Sequence, residues 1–234
     1  MPQDLRTIPK SLIEKLGIKF KDINLLKTAL THRSYLNEHR KNNLEHNERL
    51  EFLGDAVLEL ITTKYLYSHY NKPEGELTNL RAALVKGETL TKIGKELKID
   101  SYLFLSKGEA KTNGRSHNYI LANTIEAVIG AMYLDQGIKI AEQFIAKYII
   151  VKLPSIIDNQ LYRDSKSLFQ EKAQEKEGIT PSYKLVAENG PDHNKHFKVG
   201  AYLDSSLIAE GKGDSKQEAQ QNAAAESLKV KNWN

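Results

Sequence analysis

Asn47-Glu48-Arg49-Leu50-Glu51-Phe52-Leu53-Gly54-Asp55-Ala56-Val57 is the stretch from which the fold is read. Taken as a helix, it sets Glu48, Glu51 and Asp55 at i, i+3 and i+7, on one face. Leu50, Phe52, Leu53, Ala56 and Val57 lie between them, and Leu58 and Leu60 follow. Such a helix is apolar almost all round, which predicts burial. A buried carboxylate needs a partner, because an unpaired charge in apolar surroundings is costly. Two carboxylates one turn apart can share a cation. The alternative is an amphipathic helix with a solvated acidic edge, and this stretch alone leaves both open. Gly54 costs roughly 1 kcal/mol against Ala inside a helix, so close approach of another backbone is expected there.

A second segment has the same character. Tyr119 to Asp135 is apolar nearly all round, with Asn123 and Glu126 at i and i+3 and with Gly130 as another point of close approach. Two buried helices, each carrying two oxygen side chains, could supply four convergent oxygen donors. That set suits Mg²⁺, or Mn²⁺ in its place, and not zinc.

The eleven residues from Asn47 to Val57 resemble the signature of the ribonuclease III family, the double-stranded-RNA endonucleases. Thr31-His32-Arg33-Ser34-Tyr35 and Gly75-Glu76-Leu77 are similar to further family segments, so the likeness covers nearly the whole chain. It implies Glu51, Asp55, Asn123 and Glu126 as metal ligands, with Asp55 and Glu126 central to catalysis. Asn123 departs from the family pattern, where Asp is usual; an amide oxygen can still coordinate a hard cation but brings no charge. Glu48 and Glu76 are implied in supporting roles. Phe52 matches the family position that enters a socket on a partner subunit, whereas the apolar pattern alone makes it ordinary core. The resemblance therefore implies a homodimer.

Upstream, Leu12 to Leu30 predicts two short helices broken near Gly17. His32, His39 and His46 follow in and around a polar stretch. Their spacing matches no common zinc pattern, and solvated loop histidines are the expectation. Ser106 to Arg115 reads as a flexible basic loop. By the resemblance it lies beside RNA, with Lys107, Lys111 and Arg115 as candidate phosphate contacts. Ile140 to Leu153 is expected to close the first domain as a helix broken by Pro154.

From Asp164 the pattern changes. A helix over Lys166 to Gln174, strands over 182–188, 196–204 and 206–210, and an Ala-rich helix over 215–229 are expected. Ser215-Lys216-Gln217-Glu218 fits a capping box. Helix, three strands and helix, with Leu168-Phe169-Gln170-Glu171 and Gly190-Pro191-Asp192-His193, resembles a double-stranded-RNA-binding domain. Such a domain reads the shape of A-form RNA. The likeness implies Gln170 and His193 in the minor grooves and Lys212 and Lys216 near phosphate. The last helix starts with fewer basic residues than the family usually has. The alternative is a small α+β domain used for protein contact, which the Gly190-Pro191-Asp192-His193 segment argues against.

The expected organisation is an all-α endonuclease domain over 1–155, a linker over 156–163, and an α-β-β-β-α domain over 164–234. The chain has 234 residues and a formal charge of +4, too mild a balance to establish nucleic-acid binding by itself. The absence of cysteine removes disulfides and thiolate metal sites. With no signal-peptide pattern and no apolar run near the ~18 residues of a membrane span, a soluble, cytoplasmic protein without membrane contact is expected. The resemblance implies Mg²⁺-dependent hydrolysis of double-stranded RNA, leaving 5′-phosphate and 3′-hydroxyl ends, with roles in ribosomal RNA processing and messenger turnover. Its rivals are a non-catalytic RNA-binding protein and a metal phosphohydrolase acting on small substrates.

Overall fold

The computed structural model describes residues 8, 10–39, 45–111, 114–158, 160, 162, 164–190 and 195–233. The chain divides into two compact units, residues 1–162 and 163–234.

The first unit is helical. Its elements are α1 (Lys10–Leu16), α2 (Ile23–Ala29), α3 (Arg33–Glu38), α4 (Glu48–His69), α5 (Glu74–Val85), α6 (Gly87–Glu96), α7 (Arg115–Gln136), α8 (Ile138–Tyr148) and α9 (Leu153–Asp158). Gly17 ends α1 at φ +71°, a left-handed turn that suits glycine. The core gathers one face from each long helix, including Leu12, Leu58, Leu84, Leu90, Ile125 and Phe144. The middle of α7 is enclosed, with Ala127, Val128, Ile129, Ala131 and Met132 fully buried.

Three expectations for this unit need correction. The signature helix α4 is not buried all round: Phe52, Leu60 and Tyr67 are 82%, 62% and 81% exposed. They recur at spacings that line one side of the helix, so the unit leaves an apolar stripe uncovered. Nor does Pro154 end a helix. The helix before it stops at Tyr148, a 3₁₀ turn spans Ile150–Lys152, and Pro154 lies in the first turn of α9. A proline fits there because the first turn has no intrahelical acceptor for the missing N–H. Residues 156–158, expected in the connection, belong to α9, and Ile156 is buried in the core of the first unit.

The second unit runs α10 (Ser165–Glu177), β1 (Ser182–Asn189), β2 (His196–Leu203), β3 (Ser206–Gly213) and α11 (Lys216–Lys231). The strands form an antiparallel sheet in the order β1-β2-β3. Val199, Ala201 and Leu203 alternate to one face of β2 and are buried, as the period-two pattern predicts. Phe169, Ala173, Ala201, Leu203, Ala223, Ala224, Leu228 and Trp233 form the core. Alanines on α11 let it lie close on the sheet; a Cβ on Gly211 of β3 would meet the Ala219 carbonyl oxygen at 2.5 Å. Ser215 caps α11 by accepting from Glu218 N–H at 3.1 Å. The reciprocal half of the capping box falls one residue early, with Glu218 accepting from Asp214 N–H at 2.8 Å.

Candidate active site and RNA-facing surfaces

Two glycines bring α4 and α7 together. A methyl group at Gly54 would overlap the carbonyl oxygen of Glu126 and lie 2.9 Å from the nitrogen of Gly130. A methyl group at Gly130 would overlap the carbonyl oxygen of Leu50 and lie 3.1 Å from the nitrogen of Gly54. Residue 50 thus lies beside 130 and residue 54 beside 126, so the helices run antiparallel with their backbones in contact. The acidic face of α4 is thereby set against Asn123 and Glu126.

At this seam Asn123 Nδ2 donates to Glu51 Oε1 at 2.8 Å. Burial raises the Glu51 carboxyl above its ordinary pKa, and the Glu48 and Asp55 charges add to this against the Asn123 hydrogen bond. Glu126 is pushed up to about 7, first by burial and then by the charges of Asp55 and Glu51. Asp55 is exposed on the same side. No cation among the described residues forms an ion pair with Glu51, Asp55 or Glu126. Three carboxylates and an amide side chain therefore lie together with only the Asn123 hydrogen bond, and no ion-paired cation among the described residues, to offset their repulsion; hard oxygen donors of this kind fit a hard divalent cation. Among the described residues no group of three or more His, Asp or Glu side chains is already arranged to hold a metal ion.

The other acidic candidates have local partners. Glu48 faces Arg33 at 3.3 Å and His46 at 3.7 Å. Glu76 is held by Lys72 at 2.7 Å. The histidines do not behave as one set. His39 stacks on Tyr35 with ring centroids 4.0 Å apart, and His46 turns toward Glu48. His32 is half-buried and caps α3 through Nδ1, so the expectation of a solvated loop histidine fails for it.

Among the RNA candidates, Lys107 and Lys111 are exposed on the loop between α6 and α7. Arg115 opens α7, and its side chain lies outside the described residues, as does His193. Gln170 is exposed on α10 beside Ser167, Glu171, Gln174 and Glu175. Lys212 is exposed on β3, and Lys216 Nζ sits 5.8 Å from the centre of the Phe197 ring at the start of α11.

Residues 22–153 match the family model described as ribonuclease-III-like, and residues 165–231 match the double-stranded RNA binding motif. The chain belongs to the ribonuclease III family. Ribonuclease 3 of Natranaerobius thermophilus is 48% identical over 214 residues, covering 91% of this chain and 92% of that one. Ribonuclease 3 of Streptococcus gordonii is 41% identical over 229 residues, or 97% and 98% of the two chains. Among solved structures, the nuclease domain of ribonuclease III from Campylobacter jejuni aligns with a TM-score of 0.56 and 38% identity, covering 62% of this chain and 98% of that one. This ribonuclease III chain is an endonuclease of double-stranded RNA, and family members depend on a metal ion. No helix of the described residues is long and apolar enough to cross a membrane.

Proposed function

We propose that the first unit cuts both strands of duplex RNA as a homodimer, using Mg²⁺ held by Glu51, Asp55, Asn123 and Glu126. The observation that carries this reading is the packed seam of α4 and α7, which sets those four side chains together with no ion-paired cation among the described residues. A bound hard cation supplies an acidified water and draws charge from the phosphate and the leaving oxygen. The chain's own residues do the rest. Glu51 and Asp55 fix the α4 side of the site, and Glu126 adds a carboxylate that ionises at the working pH. Asn123 orients Glu51 through its amide N–H and leaves its own oxygen for the cation. Glu48 and Glu76 support the site through water or RNA. Cleavage leaves 5′-phosphate and 3′-hydroxyl ends. Catalysis belongs to the first unit and duplex holding to the second, through Gln170, His193, Lys212 and Lys216, with Lys107, Lys111 and Arg115 as phosphate contacts of the first. The enzyme works in the cytoplasm on ribosomal and messenger precursors.

The homodimer is supported by the uncovered α4 stripe, because exposed apolar side chains aligned along one helix mark a protein contact. Phe52→Glu places a charge in that contact and should give a monomer by sedimentation while leaving the helical circular dichroism unchanged. A dimer of unaltered affinity would remove Phe52 from the interface.

Asn123→Asp tests the ligand set. The variant adds a fourth negative charge and removes the amide donor to Glu51. Metal-free, it should melt below the wild type, because a carboxylate replaces a hydrogen bond next to Glu51. With Mg²⁺ the added charge binds, and the concentration for half-maximal cleavage should fall several-fold, about 1 kcal/mol. A Mg²⁺ titration of cleavage at fixed salt and saturating duplex decides. An unchanged midpoint would take Asn123 out of the ligand set.

A further inference from the structure

We propose that His32 is a positioning residue for the substrate, acting through Ser34 to hold the loop that begins at Ser106 beside the start of the signature helix. This rests on the reading of that loop as an RNA contact.

The geometry is a directed relay. Ser106 N–H donates to Ser34 Oγ at 3.1 Å. Ser34 Oγ stands 2.8 Å from His32 Nδ1, and Ser34 N–H points at the same nitrogen at 3.3 Å. A ring nitrogen receiving a backbone N–H must present its lone pair, so Nδ1 carries no proton and the Ser34 hydroxyl donates to it. That leaves the hydroxyl lone pairs for Ser106. Burial lowers the His32 pKa against the raising charges of Glu109 and Glu48, with Arg33 and His46 adding to the lowering. The neutral ring that the relay requires is thus the favoured form.

The loop is tied at neighbouring positions as well. Lys107 N–H points at both Glu38 carboxylate oxygens, at 3.1 and 3.3 Å, and Ser106 Oγ accepts from Glu109 N–H at 3.1 Å. The other end of the connection reaches the catalytic helix. His32 N–H donates to the Phe104 carbonyl at 3.1 Å and Phe104 N–H to that of Leu30 at 2.9 Å, while Asn47 N–H donates to the Thr31 carbonyl at 2.9 Å. Residues 30–34 therefore bridge Asn47, which directly precedes the acidic face of α4, and the loop that carries Lys107 and Lys111. Short bonds on both sides fix the distance between them. Burial and hydrogen bonding of this kind are more than a solvated histidine needs.

The test uses the full chain carrying His32→Ala, Ser34→Ala, both together, or His32→Asn, whose amide oxygen can accept from Ser34 in place of Nδ1. Hydrogen exchange at the Ser106 and Lys107 amides reads the tie directly. Cleavage of a duplex at saturating Mg²⁺ reads its consequence. His32→Ala and Ser34→Ala should each speed exchange at Ser106 and raise KM about 3- to 10-fold, with kcat held within about a factor of two. The double variant should lose no more than either single one, because both break one relay. His32→Asn should restore protection and KM together. Unchanged exchange at Ser106 in His32→Ala, additive losses in the double variant, or a fall in kcat at constant KM would each overturn the proposal. A separate variant, Lys107→Glu with Lys111→Glu, tests the reading underneath. A raised KM there upholds the loop as an RNA contact. An unchanged KM would refute that contact, and with it the functional half of the proposal, whatever the exchange data show.

Discussion

Glu126→Gln is expected to lose cleavage of duplex RNA by roughly 10²–10³-fold or more at any Mg²⁺ concentration, with duplex binding nearly intact. Glu126 is the most enclosed carboxylate of the cluster, so its charge acts on whatever sits between α4 and α7 and little on distant phosphate contacts. Stability in a chelator gives an independent reading. The fold raises the Glu126 pKa to about 7 from an ordinary 4.5, so the ionised form is disfavoured in the folded state. That penalty is absent below pH 4.5, grows through the window to 7, and is complete above it. For a partly open site it is on the order of 2 kcal/mol. Glutamine carries no such penalty. The variant should therefore match the wild type near pH 4.5 and melt several degrees higher near pH 8 without metal. Mg²⁺ should stabilise the wild type at pH 8 and the variant much less. A variant that cuts at close to the wild-type rate, or one whose advantage in chelator is the same at both pH values, would remove Glu126 from the site.

Gly54→Ala is expected to cost the first unit about 3 kcal/mol or more and to abolish cleavage. The added methyl would meet backbone, the Glu126 carbonyl and the Gly130 nitrogen, and not a side chain that could turn away. The helices would have to separate, which opens the core and pulls Glu51 and Asp55 from Asn123 and Glu126. The second unit offers an internal control. Trp233 is the only tryptophan, and it lies in the core of that unit. Its fluorescence should follow an unchanged transition while the helical signal melts at lower temperature. Gly75→Ala serves as the matched control. Gly75 lies in the first turn of α5 with open space around the added methyl, so this change should be neutral or slightly stabilising. A Gly54→Ala protein with wild-type melting and activity would mean that the seam is not tight.

Much of this organisation is legible in the amino-acid sequence. The alternation in β2 is a property of period two, and an isolated glycine in an apolar helix signals close approach whatever the fold. Gly54 and Gly130 are both of this kind, and both lie at the seam. Other features were not legible, for identifiable reasons. Apolar periodicity reports which faces of α4 avoid water, but not whether this chain or another covers them. Phe52 therefore reads as core and is exposed. Proline forbids the interior of a helix but favours its first turn, so Pro154 alone could not say whether a helix was ending or beginning. His32 reads as a solvated loop residue because no local pattern distinguishes a capping imidazole from a solvated one. A histidine two residues before a serine is the only trace the relay leaves in the chain.

The sequence by itself determined the long signature helices, the strand pattern of the second unit, the glycine contact points and the oxygen-rich, thiol-free donor set, since these follow from residue type and spacing along one helix or strand. Tertiary structure decided which donors meet. Glu51 and Asn123 are 72 positions apart, as are Ser34 and Ser106, and each pair is joined by a hydrogen bond. No periodicity carries information over that distance. The raised pKa of Glu126 has the same origin, because burial and the fields of Asp55 and Glu51 act on it only after two helices with glycines at their crossing have closed on each other.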